Sequence, residues 1–215
     1  MIRTGDLKEG SVLPPERELM ETFRVGRPAI REALLSLQQK GLIAITNGER
    51  ARVTRPDAQR LIEALSGAAS VLLASTDGIR SFQAARLLFE PAIARDAARR
   101  ATPDDIERIG RALADNRSAL RDPEGFEQTD VAFHFEIAVT LGNDLITGLH
   151  RALSGWLAEQ RRVALRARGA SRRAFTFHER IFAAIEAHDP DAAEHAMRAH
   201  LGEVGVDYWK KRDPD

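Results

Sequence analysis

The chain has 215 residues, no cysteine, 30% charged residues and a formal net charge of zero. These values exclude disulfides, Cys-based zinc sites, iron–sulfur clusters and thiol catalysis, and they exclude a wholly disordered chain. No apolar run approaches the ~18 residues of a membrane span. The first residues lack the apolar stretch of a secretory signal, so a cytoplasmic protein with no membrane partner is expected.

The neutral total hides a split. Residues 1–55 hold 10 Lys/Arg against 7 Asp/Glu, and residues 56–215 hold 22 against 25. Arg24–Arg55 alone carries 7 basic and 2 acidic residues. Such a local excess suits a phosphate-facing surface, though an ordinary solvated face has the same composition. The patterning changes at the same place. Before residue 56, short segments are punctuated by Gly10, Pro14, Gly26, Pro28, Gly41 and Gly48. Beyond it, long helical patterns run with few breaks. Two domains, 1–56 and 57–215, are therefore predicted in a mainly α chain.

In chain order, Glu16–Phe23 is predicted as a short amphipathic helix with Leu19, Met20 and Phe23 on its apolar side. Arg24–Arg27 reads as a tight turn. Pro28 opens a second helix reaching about Lys40, with Ile30, Leu34 and Leu37 facing inward. Two short helices joined by a glycine turn form a helix-turn-helix. Arg27 and Arg31, four apart, share a face of the second helix, where a guanidinium fork suits guanine or phosphate. Gly41–Ile45 and Arg50–Thr54 read as strands joined by the hairpin signal Asn47-Gly48. That hairpin would be a wing, placing Asn47, Gly48 and Arg50 near DNA.

Downstream, helices are predicted at about 57–75, 78–100, 103–121, 123–141, 143–168, 171–188 and 190–211. Thr102-Pro103-Asp104-Asp105, Asp122-Pro123-Glu124 and Asp189-Pro190-Asp191 supply cap chemistry at three starts. Of six histidines, His134 lies four residues after Asp130, so one helix face offers an oxygen and a nitrogen. His178 and His200 lie on later helices among apolar neighbours. Three imidazoles and a carboxylate meeting in a bundle would hold a divalent ion, zinc foremost, with nickel or manganese as alternatives. Read from spacing alone, a histidine on an apolar face is more often a satisfied core residue than a ligand. His150, His188 and His195 lack this support.

The string LPPERELMETFRVGRPAIREALLSLQQKGLI, followed by NGERARV, resembles the winged-helix domain of GntR-type bacterial transcription regulators over residues 7–56. The resemblance implies that Arg17, Arg27 and Arg31 contact DNA and that Gly48 marks the wing site. Arg17 has an alternative in a helix ion pair with Glu18 or Glu21. Family members begin with a further helix before the position of Ile2, so the first helix is expected to be truncated here. The segments RLLFE (Arg86–Glu90), DVAFH (Asp130–His134) and FHERIFAAIEA (Phe177–Ala187), with Asp191–Leu201, look like the all-helical ligand-binding domain of the FadR subgroup, called FCD. By that likeness Asp130, His134, His178 and His200 hold the metal, a carboxylate effector completes the shell, and Arg86 lines the cavity. Arg86 could instead pair with Glu90, four residues on.

A narrower likeness to regulators of sialic acid catabolism rests on VGRPAIREAL, NGERARVTRP, LSGAA and the Gly142–Leu145 stretch. It implies sialic acid as the effector. The expected protein is a ligand-responsive, homodimeric regulator, a repressor reading a palindromic double-stranded operator in a carbohydrate or organic-acid operon. Two alternatives compete: a metal-dependent enzyme built on the bundle, and a sensor lacking DNA binding. Against the enzyme, His178-Glu179 has no second histidine at the H-E-x-x-H spacing. No phosphate-cradling glycine loop or G-x-S-x-G elbow occurs.

Overall fold

A computed structural model describes residues 7–46, 50–54 and 58–212. The chain divides into two compact units, Met1–Leu65 and Ser66–Asp215. The expected boundary at residue 56 lies outside the described residues. The division itself falls inside a helix.

In the first unit, α1 spans Glu16–Phe23 and α2 spans Arg27–Gln39. Helix α1 ends at Arg24, which takes the left-handed conformation with φ 54°. Gly26 then caps α2, and Pro28 in its first turn needs no helical N–H donor. Strands β1 (Ile43–Ala44) and β2 (Arg52–Val53) pair antiparallel, with Ile43 opposite Val53. The segment before α1 joins them, an arrangement unforeseen from the sequence. Leu13 N–H donates to the Ala51 carbonyl and Val53 N–H to the Ser11 carbonyl, both at 2.8 Å. Leu13, Ile43 and Val53 form the buried core, with Leu34 and Leu37 of α2 packed against it.

Helices α3 (Ala58–Leu73), α4 (Thr76–Arg100), α5 (Pro103–Ser118), α6 (Pro123–Val139), α7 (Asp144–Trp156), α8 (Ala158–Leu165), α9 (Ala170–Glu186) and α10 (Pro190–Arg212) follow. Their starts obey the cap chemistry. Thr102 and Asp105 form a reciprocal capping box on α5. Asn143 accepts from the backbone N–H groups of Leu145 and Ile146 on α7. At the start of α4 a side chain is sterically barred, since a Cβ on Gly78 would lie 1.8 Å from the Leu72 carbonyl oxygen.

One predicted helix differs. The stretch 143–168 forms two helices that meet at Leu157, not one. Leu157 is buried, and the Arg161 guanidinium donates to the Ser154 carbonyl at 3.3 Å across the junction. A side chain serving a carbonyl at a helix end offsets the break in the backbone ladder. Helix α10 packs against α4, α8 and α9, and α5 packs against α6 and α9. Ile109, Phe133, Ile137, Ile181, Ile185 and Met197 fill the core between these helices.

Candidate metal centre and DNA-reading helix

Three helices converge on a buried polar cluster. Helix α6 contributes Asp130 and His134, α9 His178, and α10 His200, and all four are buried. One candidate ligand atom from each lies within 4.8 Å of all the others. His134 Nε2 is 3.2 Å from His200 Nε2, and His178 Nε2 is 3.4 Å from it. Asp130 Oδ1 is 3.4 Å from His178 Nε2. Ligands ~2.0–2.1 Å from a tetrahedral zinc stand about 3.3–3.4 Å apart, so the spacing fits such an ion.

Proton placement agrees. His178 Nδ1 lies 2.9 Å from Asn116 Oδ1, and His134 Nδ1 lies 2.8 Å from Glu90 Oε2. A proton on each Nδ1 leaves both Nε2 lone pairs aimed at the common centre. Burial pushes the His178 imidazole down to about 3 and holds His200 well below its ordinary value. Both are therefore neutral, as ligands must be. Burial works to raise the Asp130 carboxyl, but His178, His134 and Arg161 outweigh it and keep Asp130 below its usual value.

The surroundings add Arg161, and contacts of Glu90 to two histidines, that the sequence reading missed. Glu90 is 2% exposed and ion-paired with Arg86. Burial opposes its charge, yet Arg86, His134 and His150 together hold the carboxyl well below the usual range. His150 lies 4.0 Å from Glu90 Oε2 and, with both ring nitrogens buried and unbonded, forms a second group with Glu90 and His134. Arg161 Nε is 3.2 Å from Asp130 Oδ2 and is 5% exposed. A signal for Arg161 existed in register: it stands four after Leu157 and three before Ala164, both buried. Glu90 likewise precedes the buried Ile93, Ala94 and Ala97 at helical spacing. His188 instead contacts the Ala98 carbonyl at 2.9 Å, and His195 is exposed.

Both readings of Arg86 coexist. It pairs with Glu90 and also lines a small cavity with Asp130, Arg161, Arg173 and His200. A divalent ion held by three neutral imidazoles and one carboxylate leaves this enclosure positive. Arg161 adds to that charge, the Arg86–Glu90 pair cancels itself, and Glu203 and Asp207, which also line the cavity, more than offset Arg173. An anionic ligand suits such a site.

On the first unit, Arg27 and Arg31 project from the start of α2 and share one partner. Glu16 Oε2 is 2.9 Å from Arg27 Nε, and Glu16 Oε1 is 3.3 Å from Arg31 Nε. The Arg27 hydrogen bond chiefly holds the Glu16 carboxyl below its usual value. Arg17 pairs with Glu21 at 3.2 Å, both exposed. Arg50 is exposed. Asn47 and Gly48 lie outside the described residues.

Comparison with known proteins agrees with this geometry. The profile of the bacterial regulatory proteins, gntR family, matches residues 1–53, and that of the FCD domain matches residues 82–203. The HTH-type transcriptional repressor NanR of Cronobacter sakazakii is 43% identical over 206 residues, 95% of this chain and 79% of that protein. Its counterpart in Escherichia coli K12 is 41% identical over 208 residues, 96% of this chain and 79% of that protein. Among solved structures, Streptococcus agalactiae GntR superposes with a TM-score of 0.56 at 26% identity, covering 96% of this chain and 93% of that one. E. coli McbR/YncC, at 16% identity, 99% and 93% coverage and a TM-score of 0.59, shares the fold. No helix among the described residues is long and apolar enough to cross a membrane. The chain belongs to the GntR family in its FCD-bearing branch: it is a ligand-responsive, DNA-binding transcription regulator and not an enzyme.

Proposed function

We propose that this regulator represses a catabolic operon for a sugar acid, with sialic acid as effector, through a metal-dependent pocket. Asp130, His134, His178 and His200 hold a divalent ion, and the N₃O donor set favours zinc over nickel or manganese. The ion, when bound, supplies a positive charge to which a carboxylate can bind. Arg86 meets the same carboxylate. The observation that carries this reading is the meeting of three Nε2 atoms and one carboxylate in a buried cluster, beside a small cavity that Arg86 and Arg161 line. Sialic acid rests on the narrower sequence likeness.

Arg27 and Arg31 enter the DNA groove, with Arg17 and Arg50 on phosphates and Asn47 and Gly48 at the wing. The protein acts as a cytoplasmic homodimer on a palindromic double-stranded operator. Val71 and Leu72 of α3 and Leu88 of α4 are exposed apolar residues that a second copy can cover. Effector occupancy changes the spacing of the two readers in the dimer and so the fit to the half-sites.

Thermal unfolding of the zinc-loaded protein with N-acetylneuraminic acid and a panel of sugar and hydroxy acids tests the effector. Ligand at ~100 times its dissociation constant adds about 2.7 kcal/mol, several degrees in midpoint. A shift with N-acetylneuraminic acid that His200→Ala abolishes supports the reading. A shift only with another acid removes sialic acid, and no shift with any acid removes the pocket.

A further inference from the structure

The small cavity beside the metal ligands encloses about 20 Å³. That is roughly the room one water needs, far below the ~300 Å³ at which small-molecule pockets begin. It can take a carboxylate but not the body of a sugar. A larger chamber of about 500 Å³ shares Arg86, Arg161 and Val204 with it. This second chamber lies between α4, α8 and α10, and Gln83, Gln160, Leu201 and Tyr208 stand in its walls.

Three features mark the chamber as a place for a ligand. First, α10 carries Gly202 and Gly205 in its wall, three apart and so on one face. Glycine weakens a helix interior relative to alanine, and here nothing requires it, since a Cβ on either would meet no atom within 4 Å. The two glycines leave open space at a helical cost. Second, Gln160 Oε1 is buried and accepts no hydrogen bond, whereas Gln83 Oε1 accepts from Trp209 Nε1 at 2.9 Å. A buried acceptor of this kind calls for a donor. Third, the lining includes Arg80, Arg86, Arg161 and Lys210 but no acidic residue.

We infer that the effector spans both chambers. Its carboxylate sits in the small one between Asp130, His200 and the two buried arginines. Its hydroxylated body passes Arg86 and Arg161 into the larger chamber, where a hydroxyl donates to Gln160 and the chain lies against Gly202 and Gly205. The ligand class is a polyhydroxylated acid of sugar size, not a short hydroxy acid. This rests on the acid-effector reading above.

Calorimetry on the zinc-loaded full chain tests it, with N-acetylneuraminic, gluconic and glucuronic acids and, as the short acid, lactate. Gly205→Leu fills the chamber while improving helix propensity, so the ligand-free midpoint stays the same or rises by ~2–4 °C. It is expected to weaken the sugar acid at least tenfold with zinc affinity unchanged. Gln160→Leu is expected to weaken the same acid several-fold. Sugar-acid binding untouched by either variant overturns the two-chamber assignment and leaves the acid-effector reading standing. Binding of lactate alone overturns it too. A changed oligomeric state in Gly205→Leu with wild-type acid affinity assigns the chamber to subunit packing instead. No acid binding by the wild-type protein overturns both readings.

Discussion

A carboxylate as buried as Glu90 must be paired, and it serves two partners at once: Arg86, and His134 at 2.8 Å. With His134 Nε2 turned to the candidate metal position, a carboxylate on its Nδ1 side would fix the tautomer and raise the basicity of a metal ligand. Glu90→Gln keeps the shape and removes the charge. It is expected to weaken zinc 10–100-fold while the fold persists, read by competition with a chelating dye. Unaltered zinc affinity would place Glu90 outside the metal's support. The imidazoles give a pH signature to the metal-free protein. Burial lowers His178 to about 3 and His150 to about 4, and His200 lies well below its ordinary value. In the unfolded chain each takes a proton near pH 6.5, whereas in the folded chain none does until far lower. The stabilisation is therefore full above pH 6.5 and is lost as pH falls below it. Each imidazole costs ~1.4 kcal/mol per pH unit. Urea unfolding of chelator-treated protein at pH 7.5 and 5.5 should show a drop of about 4 kcal/mol, and equal midpoints would refute neutral burial.

At the scale of elements, helix starts carry much of the local specification. Thr102 accepts from Asp105 N–H while Asp105 accepts from Thr102 N–H. Thr102→Ala is expected to cost ~1 kcal/mol, about 2–4 °C in thermal midpoint, with zinc binding unchanged. This cap grammar is why α5, α6 and α10 were legible in the sequence at their first residues. Ends were less legible: Pro123 and Gly142 bound the stretches 103–121 and 123–141, yet the helices close two to three residues earlier, at Ser118 and Val139. The break at Leu157 follows Gly155, a weak signal on its own within a long helical pattern. Arg161 donates across it to the Ser154 carbonyl and is itself held by Asp130 from another helix. The same logic governs the site. Asp130 and His134 share one helix face, a spacing visible in the chain, and family likeness named His178 and His200. Glu90, Asn116, His150 and Arg161 act across helices, and no local pattern records such contacts beyond a polar residue at an apolar register.

For the whole molecule, charge is informative only when divided. The chain is neutral overall, so DNA affinity must come from a local cationic surface rather than from net attraction. Arg27 and Arg31, bridged by Glu16, are the proposed centre of that surface. Replacing Arg31 with alanine is expected to weaken operator binding and to reduce the slope of log affinity against log salt by about 0.9 per protomer. An unchanged slope would remove Arg31 from the phosphate contacts. In the bundle the buried cations Arg86 and Arg161 are already matched by Glu90 and Asp130, so only a bound divalent ion would create a demand for an anion. Under the proposed function, metal, acid and DNA would be linked in one thermodynamic cycle, each ligand altering the apparent affinity of the others.

The most direct measurement is calorimetric titration of N-acetylneuraminic acid into the zinc-loaded and the chelator-stripped protein at the same pH. Saturable binding is expected only with zinc present, and only while His200 is intact. Equal binding with and without metal would contradict the metal-dependent pocket.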